Sequence, residues 1–198
     1  MGIKERKARE KEVFRKLVLD TAHHILRQRG LEGLTMRAIS TEIEYSQSKI
    51  YEIFSSKEEL FVVLFQQLCE KLLALLKSSP PASPKEHLMN IFHLETDFHL
   101  AHPHSDALFT AIYFGSKSTP LPSTFIEVER CFSDAVRALK SPLLRTDEEI
   151  SEALDIFRCI FVGFITLMSS ETSTEGKKRV QKMSQNALKI LLQGWKVK

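Results

Sequence analysis

Glycine and proline are scarce in this chain, seven of each in 198 residues, and no glycines cluster. That leaves nothing to build a phosphate-cradling loop, a Rossmann fingerprint or a G-x-S-x-G nucleophile elbow. Cysteine is equally thin. Cys69, Cys131 and Cys159 are widely spaced, and none forms a CxxC pair. An odd, scattered set argues against a disulfide framework and against a structural zinc site. Long apolar runs are missing as well, and a membrane-spanning helix needs about 20 such residues. The first residues are charged, without the apolar stretch of a secretory signal. The expectation is a soluble protein of the reducing cytoplasm, with no metal and no cofactor. No segment alternates as a strand would, and no internal repeat is visible.

What is present is helical periodicity from end to end. Phe14, Leu17, Val18, Ala22 and Ile25 recur at three- and four-residue steps, predicting an amphipathic helix from about Lys4 to Arg29 that Gly30 stops. A helix from Lys57 to about Lys77 carries the stripe Leu60, Leu64, Leu68, Leu72, Leu75. The run SSPPASP, Ser78 to Pro84, then breaks the chain. Beyond it, helices are expected over Lys85–Ala101, Asp106–Phe114 and Phe125–Leu139, with breaks at Pro103, Pro120 and Pro142. A strongly apolar helix around Ile150–Met168 follows, and a last one over about Lys177–Lys196. The fold class is therefore all-α. A three-helix module of about residues 1–54 joins, through a shared fourth helix, a helical domain of residues 55–198.

The segment Leu34 to Phe61, LTMRAISTEIEYSQSKIYEIFSSKEELF, carries the most information. Thr35 is a good N-cap for a helix Met36–Glu42. Ser46 caps a second, Gln47–Ile53, only four residues after the first ends. Ser56 and Glu59 form a capping box ahead of the fourth helix. Two short helices around a tight turn are the helix-turn-helix plan, which offers the second helix to base edges in the major groove. Charge follows the motif. Through Lys57 the chain has twelve Lys and Arg against eight Asp and Glu, a net of +4, and the remainder has sixteen against seventeen, a net of −1. Positive charge thus sits where phosphates would be met. On residue chemistry, Gln47, Ser48, Lys49 and Tyr45 are candidates for base edges. Ser46, which caps this reading helix, is also a DNA-contact candidate, while Thr35 and Arg37 stand as candidate phosphate contacts. Ile39, Ile43, Ile50 and Phe54 are expected only to pack.

Ile39, Tyr51, Phe54, Ser56, Lys57, Glu58 and Leu60 stand as in the TetR-type repressors, whose motif runs roughly I-A-x-x-A-G-V-S-x-G-T-L-Y-x-H-F-x-S-K-E-x-L. The segment resembles that family's N-terminal module over about the first third of the chain. The resemblance implies that Tyr51 and Lys57 contact phosphates and that the rest is a ligand-binding helical domain. The implied function is a ligand-responsive regulator, a repressor released from its operator by a small apolar or aromatic molecule. The sequence departs from the pattern at Ser40 for Ala, Glu44 for the turn Gly, Tyr45 for Val, Ser48 for the second Gly and Ile53 for His. Glu44 matters most, because such a turn often needs a positive φ. Either the turn is reshaped or it is strained.

Thirteen phenylalanines, mostly in the second part, fit either a bundle core or an aromatic-lined cavity. Candidate lining residues are Phe92, Phe109, Tyr113, Phe132, Phe157 and Phe161, with His93, His99 and Arg158 as polar anchors. His87, His93, His99, His102 and His104 lack an HExxH or an accompanying Cys, so surface or pocket-edge histidines are expected rather than a metal site. Since one module reads only a short half-site, a homodimer on palindromic double-stranded DNA is expected. Its seam would involve Phe164 and Met168 on one helix and Val180, Met183, Ala187, Ile190 and Leu191 on the last. Two other classes compete: a helical module contacting protein partners, and an enzyme on a helical bundle.

Overall fold

Gly30 adopts φ 68°, a left-handed conformation that a Cβ would resist. The first helix, α1 (Ile3–Gly33), is interrupted there. The computed structural model describes residues 2–79, 83–102, 104–115, 120–171 and 173–197, with the side chains of residues 106, 113–115 and 169–170 outside the description. The expected breaks at Pro103 and within Ser78–Pro84 and GSKSTPLP fall partly or wholly outside these residues. Among the described residues the regular elements are all α-helices. After α1 come α2 (Met36–Ile43), α3 (Gln47–Tyr51), α4 (Lys57–Lys77), α5 (Pro84–Ala101), α6 (Ser105–Gly115), α7 (Ser123–Ala138), α8 (Asp147–Ser170) and α9 (Thr174–Gly194). They divide into two compact units, Met1–Gln67 with Ala107–Pro122, and Leu68–Asp106 with Ser123–Lys198.

In the first unit α1 buries Phe14, Val18, Leu19, Ala22, Ile25 and Leu26. Leu17, expected on that face, is 40% exposed. At 100° per residue it stands roughly 60° outside the arc those six side chains span. Beneath them lie Leu34, Ile39, Ile50, Phe54, Leu60 and Leu64, all fully buried. Burying one such side chain contributes about 1.5–3 kcal/mol, so this core holds α2 and α3 firmly despite their shortness. His23 Nε2 and Gln67 Oε1, 2.8 Å apart, add a polar tie between α1 and α4. Ile43, expected to pack, is only half-buried.

The second unit packs α5 on α7, α7 on α8 and α8 on α9, with α5 also touching α8 and α9. On α4 the buried stripe ends at Leu76 rather than at the expected Leu75, which is 41% exposed. The i, i+4, i+8 row through Leu68 and Leu72 reaches Leu76, and this steeper row is the one that faces the unit. Helix starts are well capped. Ser83 and Glu86 form a capping box with Pro84 at the first helical position, where its missing N–H costs nothing. Thr146 and Glu149 form another at α8. The Ser141 hydroxyl donates to the Trp195 carbonyl and fixes the end of α9. No helix of the described residues is long and apolar enough to cross a membrane.

Candidate nucleic-acid interface

The interface begins with the cap of α2. The Thr35 hydroxyl accepts from the Ala38 N–H at 3.0 Å, which satisfies one of the free donors at the helix start. Seven residues on, the chain must leave α2 and enter α3 almost at once. Glu44 does this at φ 58°, ψ 36°. Its N–H and that of Tyr45 both bond the Ser40 carbonyl, the latter at 3.1 Å. The turn therefore keeps the geometry a glycine would give it, and the glutamate bears the strain. Ser40 is buried, and its hydroxyl donates to the Arg37 carbonyl at 2.9 Å. That bond explains how a polar residue replaces the alanine of the related motif. The Tyr45 ring rests on Phe14, 4.8 Å between centroids, and so braces the turn against α1 while remaining half exposed.

α3 is only five residues long, shorter than the expected Gln47–Ile53, because residues 52–53 continue as a turn. Ser46 caps it by accepting from the Lys49 N–H at 3.3 Å. Ile50 and Phe54 are fully buried, while Gln47, Ser48, Lys49 and Tyr51 are exposed. The Arg15 guanidinium lies over the Phe54 ring at 5.3 Å and secures the floor of this module. Thr35, Arg37, Tyr45, Ser46, Gln47, Ser48, Lys49 and Tyr51 are all exposed, and Lys57 is partly so. Every nucleic-acid candidate read from the sequence is thus at least partly exposed.

Two details were missed in the sequence. Lys49 Nζ forms an ion pair with Glu52 Oε2 at 2.6 Å, a partner that the i, i+3 spacing could have disclosed. An open cleft of about 480 Å³ is lined by Arg29, Thr35, Arg37, Ala38, Thr41 and Glu42. In it Glu42 stands 3.6 Å from Arg29 and 3.7 Å from His24. At the start of α4 the capping box is shifted by one residue. The Glu59 N–H donates to the Ser56 hydroxyl, but the Glu59 carboxylate takes the Ser55 hydroxyl and N–H, both at 2.6 Å. Those two bonds hold the Glu59 carboxyl below its ordinary range. The Lys57 ammonium lies over the Phe61 ring at 4.9 Å, an aromatic rest that keeps the cation at the helix start.

The second unit gathers some of the aromatic candidates. Phe92 meets Phe157 at 5.4 Å and Phe161 at 5.8 Å, and Phe132 meets Phe157 at 5.6 Å. All four are buried. His99 stands edge-on to Phe161, with Nδ1 2.8 Å from the Ser105 hydroxyl, and His93 lies edge-on to Phe92. Arg158 pairs with Glu129 and Asp155. Phe109 belongs to the first unit, where its ring meets Phe65 at 5.9 Å. The side chain of Tyr113 lies outside the described residues. Among the seam candidates, Met168 and Val180 are buried within the single chain, so they supply core rather than surface. Phe164, Ala187 and Leu191 are half-buried, while Met183 and Ile190 are exposed.

A two-helix turn with a polar, outward-facing second helix on an all-helical chain defines a helix-turn-helix protein. The family model for bacterial regulatory proteins of the tetR family matches residues 18–64. Over this module the chain is thus similar to the TetR family of regulators. An uncharacterised HTH-type transcriptional regulator of Xanthobacter autotrophicus is 32% identical over 66 residues, 33% of either chain; the match spans a third of that protein. The HTH-type transcriptional repressor AcnR of Corynebacterium diphtheriae is 25% identical over 86% of this chain and 89% of its own. A solved structure of BioQ with its natural double-stranded DNA operator superposes with a TM-score of 0.64 at 20% identity, covering 90% of this chain and 95% of that one. The Xanthobacter and Corynebacterium relatives are named HTH-type regulators, which favours a regulator over the helical-bundle enzyme.

Proposed function

We propose that this TetR-type regulator is a homodimeric repressor that reads a palindromic operator through α3 and leaves it when a small apolar or aromatic molecule binds. The exposed run Gln47, Ser48 and Lys49 carries the reading part of this proposal. Glutamine bonds adenine bidentately and lysine reaches guanine. Arg37, Tyr51 and Lys57 would position the module on phosphates, which fix register without reading sequence. The relative AcnR is named a repressor and BioQ is described with its operator, and both descriptions favour this direction of regulation. Selection of duplexes from a random library by the full-length protein tests it. The expected product is a palindrome with half-sites about 34–36 Å apart or a multiple of that spacing. An unenriched library would refute it.

Self-association is supported by a pair of matching stripes. Ile156, Ile160, Gly163 and Leu167 on α8 follow i, i+4, i+7, i+11, and so do Met183, Ala187, Ile190 and Gly194 on α9. Ile156, Leu167, Met183 and Ile190 are 44%, 48%, 45% and 66% exposed, and α8 packs on α9. Two adjacent helices with small residues in apolar rows suit the close packing of a four-helix seam across a two-fold axis. For the effector, the ring cluster of Phe92, Phe132, Phe157 and Phe161 beside His99 is the favoured place: an apolar lining with one polar group that would orient a ligand. α4 runs unbroken from Lys57 to Lys77, so a ligand preferring one arrangement of the second unit would shift the population seen at Lys57. Thermal-shift screening with apolar and aromatic compounds tests this part. No shift with any member would favour the same rings as plain core.

A further inference from the structure

The reading surface carries an unexpected charge. From Glu44 to Glu52 the only cation is Lys49, set between the two carboxylates Glu44 and Glu52, so the segment offered to DNA is net −1. Glu44 and Glu52 are both exposed. Lys49 is held by Glu52 at 2.6 Å, with the two side chains 47% and 59% exposed. An ion pair that open to water is weak and exchanges readily. It still decides where the ammonium points while no better partner is present.

From this geometry we infer that Glu52 is a specificity-determining residue, which keeps Lys49 off the DNA backbone unless the correct base pair is opposite it. The inference rests on α3 being the DNA reader. On mixed sequence, a free lysine would take any nearby phosphate and release a counterion, adding affinity without discrimination. Paired to Glu52 it contributes no such contact, and the carboxylate repels phosphates that approach α3. On the correct sequence, a guanine O6/N7 edge can receive the Lys49 ammonium, or a cytosine N4 amine can donate to Glu52. The pair then opens or bridges with its charge satisfied. Specificity here arises from an added penalty against wrong sites as well as from contacts to the right one. Positive charge for general attraction comes from residues flanking α3, such as Arg37 and Lys57.

The test uses the full-length protein and two duplexes of equal length, one selected from a random library by the wild type and one of mixed sequence. Binding is followed by fluorescence anisotropy over a salt series. Glu52→Gln keeps the shape and removes the charge. It is expected to tighten binding to the mixed duplex and steepen its salt slope by about 0.9, equivalent to about eightfold per tenfold change in salt. The selected duplex should gain less, so the ratio of affinities falls. Adding Lys49→Gln to Glu52→Gln should return the mixed-sequence affinity to the wild-type value, because the gain passes through the freed ammonium. Unchanged binding to both duplexes would overturn the inference. So would equal weakening on both, which would make Glu52 only a brace for α3, or a loss confined to the selected duplex, which would make it a simple base contact. If the wild type itself binds neither duplex, the DNA-reading proposal fails rather than this refinement of it. Circular dichroism of each variant confirms that it is folded.

Discussion

Replacing Glu44 by glycine should make the protein more stable, although it removes a side chain from the most function-rich turn. An L-residue in the left-handed region costs about 1–2 kcal/mol because Cβ crowds the following carbonyl, and Glu44 lies there at φ 58°. Glycine escapes that cost but loses about 0.4–1 kcal/mol through the greater freedom of its unfolded chain. The Glu44 side chain is exposed, so little packing is forfeited. The net expectation is about 0.5–1 kcal/mol of stabilisation, a rise in Tm of roughly 1–4 °C for a chain of this size. Thermal melts give the shift, and native-state hydrogen exchange of the α2 and α3 amides shows whether it resides in the module. Glu44→Ala is the control, since it removes the charge but retains Cβ, and it should leave stability nearly unchanged. If alanine stabilises as much as glycine, the effect is electrostatic. If glycine destabilises, the glutamate side chain supports the turn, and the strain argument is wrong.

Three further outcomes follow from other parts of the molecule. Ile190→Glu, at a site 66% exposed in the chain, should give a folded monomer by light scattering while the wild type is expected to run as a dimer; a dimeric variant would move the seam elsewhere. Glu59 has its carboxyl pKa lowered by the Ser55 hydroxyl and N–H, so its contribution to stability is present above about pH 4.5 and is lost as pH falls through the depressed folded value. Glu59→Gln should accordingly lower stability at neutral pH and flatten its decline in acid, measured by urea unfolding across pH 3–7 (a span of roughly one Asp/Glu titration range). Burial pushes the Cys69 thiol up to about 12, whereas Cys159 is exposed. A thiol reagent near neutral pH should label Cys159 first and Cys69 only on unfolding.

The helix-turn-helix was legible because it is built from local signals. Thr35 and Ser46 act as the caps their positions announce, and Gly30 breaks α1 where an isolated glycine between periodic runs suggests. Glu44 left two possibilities open, and only the folded backbone selects strain over reshaping, because the core beneath Ile39 and Ile50 holds both helices in place. Periodicity was less reliable for facing. Leu17, Leu75, Met168 and Val180 were all recognised as apolar, but which arc of a helix is buried depends on what packs against it. The same limit applies to the aromatics. Phe92, Phe157 and Phe161 do meet, yet Phe109 joins a different unit, a distinction set by tertiary contacts rather than by spacing. Pairs such as Lys49 with Glu52 lie between: their spacing is readable, but the sequence does not say which way a long side chain turns.

The measurement that bears most directly on the central claim is a salt-resolved binding titration of the wild type, Gln47→Ala and Lys57→Ala on a library-selected duplex and a mixed-sequence duplex. The wild type should prefer the selected duplex and lose affinity steeply with salt. Gln47→Ala should lose about 1–3 kcal/mol on the selected duplex, relaxing preference at one base pair, and little on the mixed one. Lys57→Ala should weaken both alike and reduce the salt slope by about 0.9. Equal, salt-insensitive binding of the wild type to both duplexes, or two variants indistinguishable from it, would contradict the assignment of α3 as a sequence reader.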